Sequence, residues 1–228
     1  MALRNSSVPV LTTAPQESSR LSTAEFKESD SQTLGFDEII LRSLKADDLP
    51  AYHTLLQEKE TMILAGLDAM YPESTAIGYF NQVIEEPWRV GIFLQPNNLI
   101  GDAGVSKNRE DWPEVFIMLK QEYRAKGYAT QAILKLLTMW WNLSRETTEL
   151  NVQPISLDPD ETSQSHQGNL TVRERLYFPA RINSENVQRK LKKYGLEFRG
   201  EVQKKIDSNE GETARTYYLW QIRRPQEN

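Results

Sequence analysis

The sequence contains no cysteine. Disulfides and thiolate zinc sites are therefore excluded. Histidine is nearly as scarce: His53 and His166 are the only two. That is too few for a histidine-rich metal centre, and no metal is expected. Long apolar runs are missing as well. The most apolar stretch, Ala132 to Trp141, is short and interrupted by Lys135, whereas a membrane-spanning helix needs about 20 residues. There is no excess of positive charge either. A net charge of −5 argues against a general nucleic-acid binder, whose domain is usually strongly basic. What remains is ordinary. The 228 residues, 39% hydrophobic and 26% charged, suffice for one soluble domain of moderate size with a real core.

Residues 1 to 35 are rich in Ser, Thr, Pro and Gln and show no sustained apolar period, which predicts a disordered tail. Arg4 and Arg20 against the lone acid Glu17 faintly resemble a mitochondrial presequence, but an amphipathic arginine stripe is missing and no secretory apolar segment is present. A solvated tail and a cytoplasmic location are the expectation, with a mitochondrial location as the alternative. The folded part is expected over 36–224 as one domain, with 156–173 as a polar surface loop inserted into it.

Within that span Ile39 to Leu44 predicts a strand, and Asp47 or Asp48 starts a helix carrying Leu49, Tyr52, Leu55 and Leu56 on one face. A second helix is expected from Pro72 to Ile84. Strands follow at Arg89 to Leu94, Leu99 to Val105 and Pro113 to Leu119. The clearest helix comes next, with Ala132, Ile133, Leu136, Leu137, Trp140 and Leu143 on one face. A strand at 176–182, a helix ending at Gly195 and two strands at 197–205 and 215–222 close the chain. The order β-α-α-β-β-β-α-β-α-β-β predicts a mixed α/β (α+β) fold rather than a regular doubly wound one.

Residues 114 to 132 carry the strongest functional signal: a strand, a basic glycine turn and then a helix start. A helix start presents backbone N–H groups without intrahelical partners, where a phosphate can sit. Gly127 permits close approach or a positive φ, Ala129 is the next smallest choice, and Arg124 and Lys126 add charge. A solvated basic turn is the plain structural alternative.

Arg124-Ala125-Lys126-Gly127-Tyr128-Ala129 resembles the Arg/Gln-x-x-Gly-x-Gly/Ala signature of the GNAT acyltransferases. The stretch around it is similar to the subset related to ribosomal-protein alanine acetyltransferases. The resemblance implies a mostly antiparallel, twisted sheet flanked by helices, and acetyl-CoA as co-substrate. It implies that the amides of Ala125, Lys126, Gly127, Tyr128, Ala129 and Thr130, with the Arg124 charge, hold the pyrophosphate. Residues 115–119 would bind the pantetheine arm, and an N–H near Met118 or Leu119 would polarise the thioester carbonyl. Glu114 would take a proton from the acceptor amine, with a surface carboxylate beside a turn as its alternative. Asn186 would contact the cofactor arm, with Asn183 competing and either able to cap a helix. The position that usually carries an acidic tyrosine in the family is Leu191 here, and Tyr194 is read as packing. The basic residues Arg189, Lys190, Lys192 and Lys193 are read as a solvated helix face, Trp112 could line an acceptor pocket, and His53 is read as structural.

Without cysteine no acyl-enzyme thioester can form, so direct attack in a ternary complex is expected. The expected function is an N-acetyltransferase acting on a small-molecule amine or a protein or peptide N-terminus. A non-catalytic CoA-binding or interaction module is the alternative. No nucleic-acid or membrane partner is expected, and the acceptor and the oligomeric state do not follow from the sequence.

Overall fold

The computed structural model describes residues 7–21, 39–65, 73–95, 97–107, 111–164, 170–180, 185–208 and 211–225. They divide into two compact units. The loop unit comprises Glu17–Val105 and Phe116–Leu143, and the termini unit comprises Met1–Gln16, Ser106–Val115 and Ser144–Asn228. The fold is mixed α/β, a mostly antiparallel sheet arrangement flanked by helices, as the sequence predicts.

In the loop unit, β2 (Ile40–Arg42), β3 (Arg89–Phe93), β4 (Leu99–Ser106) and β5 (Glu114–Leu119) are neighbours in that order, with β2–β3 and β3–β4 antiparallel. The chain of β5 begins in the termini unit and ends in this one. Helix α1 (Leu49–Gln57) buries Tyr52, Leu55 and Leu56, and α3 (Glu73–Glu85) buries Ala76, Phe80 and Val83. These positions recur at helical spacing and meet Phe93, Leu99 and Met118 of the sheet in one core. The start of α1 is pinned by Asp48, whose carboxylate accepts two bonds of 2.8 Å from the Arg42 guanidinium and one from the Lys45 amide. Gly101 lets β4 and β5 approach closely, since a Cβ there would lie 2.1 Å from the Met118 carbonyl oxygen.

A buried polar network crosses this core. Tyr52 donates to Asp102 at 2.7 Å, Arg89 Nε donates to the same carboxylate at 2.7 Å, and Arg89 Nη2 donates to the Tyr52 and Tyr79 hydroxyls at 2.7 and 3.0 Å. Burial, followed by the Asp102 charge, pushes the Tyr52 hydroxyl far above its ordinary range. Helix α4 (Tyr128–Trp141) buries Ala132, Leu136, Leu137 and Trp140 as expected. Trp88 meets Trp140 edge-on, with centroids 5.2 Å apart.

In the termini unit, β8 (Arg175–Ala180), β10 (Gly211–Arg223) and β9 (Glu197–Ser208) form antiparallel pairs in that order. Leu191 of α6 (Glu185–Lys193) packs with Ala180, Leu196 and Trp220. A separate three-stranded sheet has the order β6-β1-β7, from β1 (Val8–Pro15), β6 (Arg145–Val152) and β7 (Leu170–Thr171).

That sheet corrects two expectations. Residues 8–15 are not disordered tail. They pair antiparallel with all of β6 from Val8↔Val152 to Pro15↔Arg145, and Val10 and Thr12 point inward. The polar composition and two prolines hid the strand. Both prolines lie outside the two-residue ladder with β7, at Val10↔Leu170 and Leu11↔Thr171, so neither is required as a donor there. Nor is 156–173 a plain surface loop: Pro159–Gln164 is a helix (α5), and Leu157, Leu170 and Val172 are buried with Trp112, Val152 and Tyr177. The remainder of the expected tail, 1–6 and 22–35, lies outside the described residues. Helix α2 (Lys59–Ala65) was also not expected. Among the described residues no helix is long and apolar enough to cross a membrane.

Candidate active site

The glycine loop lies wholly in the loop unit. After β5 the Lys120 amide donates to the Ile100 carbonyl at 2.9 Å, and residues 121–123 make one tight helical turn. Ala125 and Gly127 then take positive φ values of 59° and 85°, and α4 starts at Tyr128. The left-handed Gly127 at the helix entrance is the conformation the sequence anticipates at that position. Amides at Tyr128, Ala129 and Thr130 stand in the first helical turn, where the carbonyls four residues back lie outside the helix and do not serve as its acceptors. Alternating right- and left-handed backbone turns such amides toward one concavity, and the helix dipole favours an anion there. Ala125 and Lys126 are exposed, while the Tyr128 side chain is buried and its ring lies 6.3 Å from that of Tyr123.

Arg124 does something the sequence does not reveal. Its guanidinium turns back, donating from Nε to the Leu119 carbonyl at 3.1 Å and from Nη2 to the Thr61 hydroxyl. Thr61 in turn donates to the Glu58 carboxylate at 2.6 Å, which also accepts the Gln121 amide at 2.8 Å. Glu58 immediately precedes the unanticipated helix α2 and Thr61 lies in its first turn, and together with Arg124 they clamp the loop. Burial lowers the proton affinity of Lys120, against the opposing charges of Glu58 and Glu122. Met118 and Leu119 are buried in β5, with Met118 packed into the helix–sheet core.

Glu114 and Asn186 belong to the termini unit. Glu114 opens β5 in parallel register with Tyr177 of β8, and its carbonyl accepts from the Ser106 hydroxyl at 3.2 Å. Three residues upstream, Asp111 is 5% exposed and accepts the Trp112 amide at 2.8 Å. Burial pushes its carboxyl up to about 6, against the Trp112 backbone, the Tyr177 hydroxyl and the Gln153 backbone, with the Glu114 charge the smallest influence. Trp112 donates through Nε1 to Ser156 at 3.0 Å, and the Arg175 guanidinium stands 5.5 Å from its ring centroid. Trp112 is thus a core residue. Asn186 is exposed, and its side-chain oxygen accepts from Arg189. Asn183 lies outside the described residues. Leu191 is buried, and Tyr194 packs against the same apolar cluster.

The structure therefore gathers residues 118–130 around one loop, with Glu58 and Thr61 as supports that sequence reasoning missed. No group of His, Asp or Glu side chains suited to a metal ion occurs among the described residues.

Residues 38–197 match the family model described as an acetyltransferase (GNAT) domain. Solved structures share the fold. A spermidine N-acetyltransferase from Vibrio cholerae, in complex with CoA and spermine, aligns with TM-score 0.56 and 16% identity, over 83% of this chain and 97% of its own. A GNAT-family acetyltransferase from Bacillus anthracis gives 0.56 and 16%, over 82% and 95%. A phosphinothricin acetyltransferase from Sinorhizobium meliloti, in complex with AcCoA, gives 0.53 and 15%, over 81% and 88%. No curated protein sequence matches the chain.

Proposed function

Because the chain belongs to the GNAT acetyltransferase family, we propose that it moves the acetyl group of acetyl-CoA onto a primary amine by direct attack. One observation carries the proposal: the left-handed turn at Ala125 and Gly127, clamped through Arg124, opens onto the unpaired first-turn amides of α4. A diphosphate needs that convergence of donors at a positive helix end. The amides of 125–130 hold it, Lys126 adds exposed charge, and β5 residues 115–119 receive the pantetheine arm. An N–H near Met118 or Leu119 stabilises the developing oxyanion. Asn186 contacts the cofactor arm.

Glu114 takes one proton from the acceptor ammonium, directly or through water, and frees the nitrogen lone pair. Nitrogen attacks the thioester carbonyl carbon and a C–N bond forms. The C–S bond then breaks, and the second nitrogen proton leaves with the CoA thiolate. A thiolate is a tolerable leaving group, so the reaction proceeds with Leu191 at the place of the usual tyrosine.

The acceptor is an amine of a small molecule or of a peptide N-terminus. Structural neighbours act on spermidine and phosphinothricin, and the likeness of 114–132 to ribosomal-protein acetyltransferases adds peptide N-termini. Thiol release measured over polyamines, amino-acid analogues and peptides tests this, alongside calorimetric titration with CoA and acetyl-CoA. Turnover with one class supports the enzyme. Binding without turnover over the whole panel would favour a CoA-binding module, the reading that the buried Leu191 supports. No binding at all would overturn both.

A further inference from the structure

We infer that the termini unit carries a binding site of its own for a small organic anion, an oxyanion head (carboxylate or phosphate) on a short apolar body. The site does not depend on the acetyl transfer proposed above, and none of the residues assigned to acetyl-CoA lines it. It is a cavity of about 460 Å³, a volume in the range of small-molecule pockets. Three stretches distant in sequence border it: 11–13 of β1, 171–174 from the end of β7, and 224–225 just past β10, with Thr147 of β6 beside them.

The cavity opens where β1 loses one partner strand and keeps the other. Its pairing with β6 runs from Val8 to Pro15, but the ladder with β7 ends at Leu11↔Thr171. The Val172 amide still donates to the Leu11 carbonyl at 2.9 Å. Backbone groups two residues apart on a strand point to the same edge, so the Thr13 amide points to that side as well. The floor is Glu174, 2% exposed. One oxygen of its carboxylate accepts from the Thr13 hydroxyl at 3.0 Å and from Arg145 Nε at 2.9 Å, and its carbonyl accepts the Arg224 amide at 2.8 Å. Strand β1, the 171–174 stretch and the stretch after β10 are thus tied together at the cavity.

Charge selects the ligand. Arg173 and Arg224 line the cavity, and Arg145 already compensates Glu174. Among these described residues three arginines stand against one carboxylate, and a guanidinium keeps its charge at any ordinary pH. Burial lowers the proton affinity of Arg145, Glu174 opposes that, and Arg224 adds to it as a like charge. An oxyanion taken up by Arg173 and Arg224 offsets this surplus, and the planar guanidinium fork suits carboxylate and phosphate alike. Leu11, Val172 and Pro225 supply apolar wall for a short hydrocarbon body, which a bare ion would leave uncovered. Thr12 also borders the cavity, 3% exposed, and its hydroxyl has no hydrogen-bond partner among the described residues. A buried hydroxyl ordinarily has one, and a ligand can complete it through a bridging water.

Methyl NMR of the full chain reads the site at Leu11 and Val172. The probes are butyrate, butyl phosphate, butanol (the body alone) and inorganic phosphate (the head alone). Butyrate or butyl phosphate should shift both residues saturably, and the tighter of the two identifies the head. Arg173→Gln and Arg224→Gln should each weaken that binding about five- to tenfold. Arg173 is exposed, so its variant keeps the test open if Arg224→Gln fails to fold. Unchanged affinity in a folded variant would overturn the proposal. Butanol as effective as butyrate, or inorganic phosphate as effective as butyl phosphate, would do the same, as would no saturable shift up to about 50 mM of either organic anion. Shifts confined to the loop unit would place the anion at the glycine loop instead and also overturn it. Failure here leaves acetyl-CoA binding at that loop untouched, because Leu11 and Val172 belong to the termini unit.

Discussion

Arg124 in the glycine loop could serve as a phosphate ligand or as a strut, and the two roles predict different outcomes. Its guanidinium is committed to the Leu119 carbonyl and to Thr61, within the same clamp as Glu58 and Gln121. Arg124→Ala removes both donors. Charged hydrogen bonds contribute about 1.5–3 kcal/mol each when buried, and Arg124 is half-buried, so a combined loss of about 2 kcal/mol is expected. Ala125 sits at φ 59°, a conformation that costs a non-glycine residue about 1–2 kcal/mol. Without the strut that strain is no longer offset, and the loop spends most of its time in other shapes. If the full 2 kcal/mol reaches the binding equilibrium, acetyl-CoA affinity falls about 30-fold. Arg124→Lys keeps the charge and lacks the planar fork that serves two acceptors, so it should lose most of the same affinity. Calorimetric titration at low and high salt discriminates. A strut leaves the salt dependence of binding unchanged, because it never touched the diphosphate. A direct ligand flattens it on removal. Near-natural affinity for the lysine variant, or for a well-folded alanine variant, would refute the reasoning.

Other outcomes follow from the same geometry. Gly127→Ala forces a side chain onto φ 85° at the entrance of α4 and should cost about 1–2 kcal/mol, or about 3–6 °C in Tm, read by thermal unfolding, and should weaken CoA binding in parallel. Tyr52→Phe strips the bond to Asp102 and the one accepted from Arg89, leaving buried charge less satisfied; urea unfolding should show a loss of about 1–3 kcal/mol. Asp111 contributes a pH-dependent stability of its own. Its carboxyl is raised from 3.8 to about 6, chiefly by burial, so the folded chain holds this proton more tightly than the unfolded one. The group favours folding most below pH 4, and that contribution is lost as pH rises towards 6, on the order of 3 kcal/mol in all. The difference in stability between the natural chain and Asp111→Asn, measured by denaturant unfolding from pH 4 to 7, should carry that slope; a flat difference would contradict the buried, raised carboxyl.

Local chemistry made some of this visible in the sequence. The apolar stripe Ala132, Leu136, Leu137 and Trp140 forced a helix, and a glycine before it forced a left-handed entrance. Alternation and β-branched residues marked β3 to β5. What stayed hidden depends on pairing across the chain. Thr147, Thr148 and Glu149 carry no apolar alternation of their own, and β6 shows itself only through its pairing with Leu11, Thr12 and Thr13. Lys59–Ala65 is too short for a convincing stripe, and without it the clamp of Glu58 and Thr61 on Arg124 has no reason to be suspected. Asp111 stands three residues before Glu114 in a short polar stretch, and nothing in that stretch marks it as buried. Its burial follows from Tyr177 and Ser156, far along the chain.

Strand β1 has a consequence for biosynthesis. Val8 must wait for Val152, and Val10 for Leu170, before either has a partner. The loop unit is complete in the nascent chain once Leu143 has emerged, while the termini unit needs the last strand as well. Translation thus delivers the opening strand first and finds it a home among the last, and until then its Val-Pro-Val-Leu edge is open to chaperones or to other chains. Ribosome-stalled intermediates from which Leu143 has just emerged should resist protease within the loop unit yet be cut near residues 8–15.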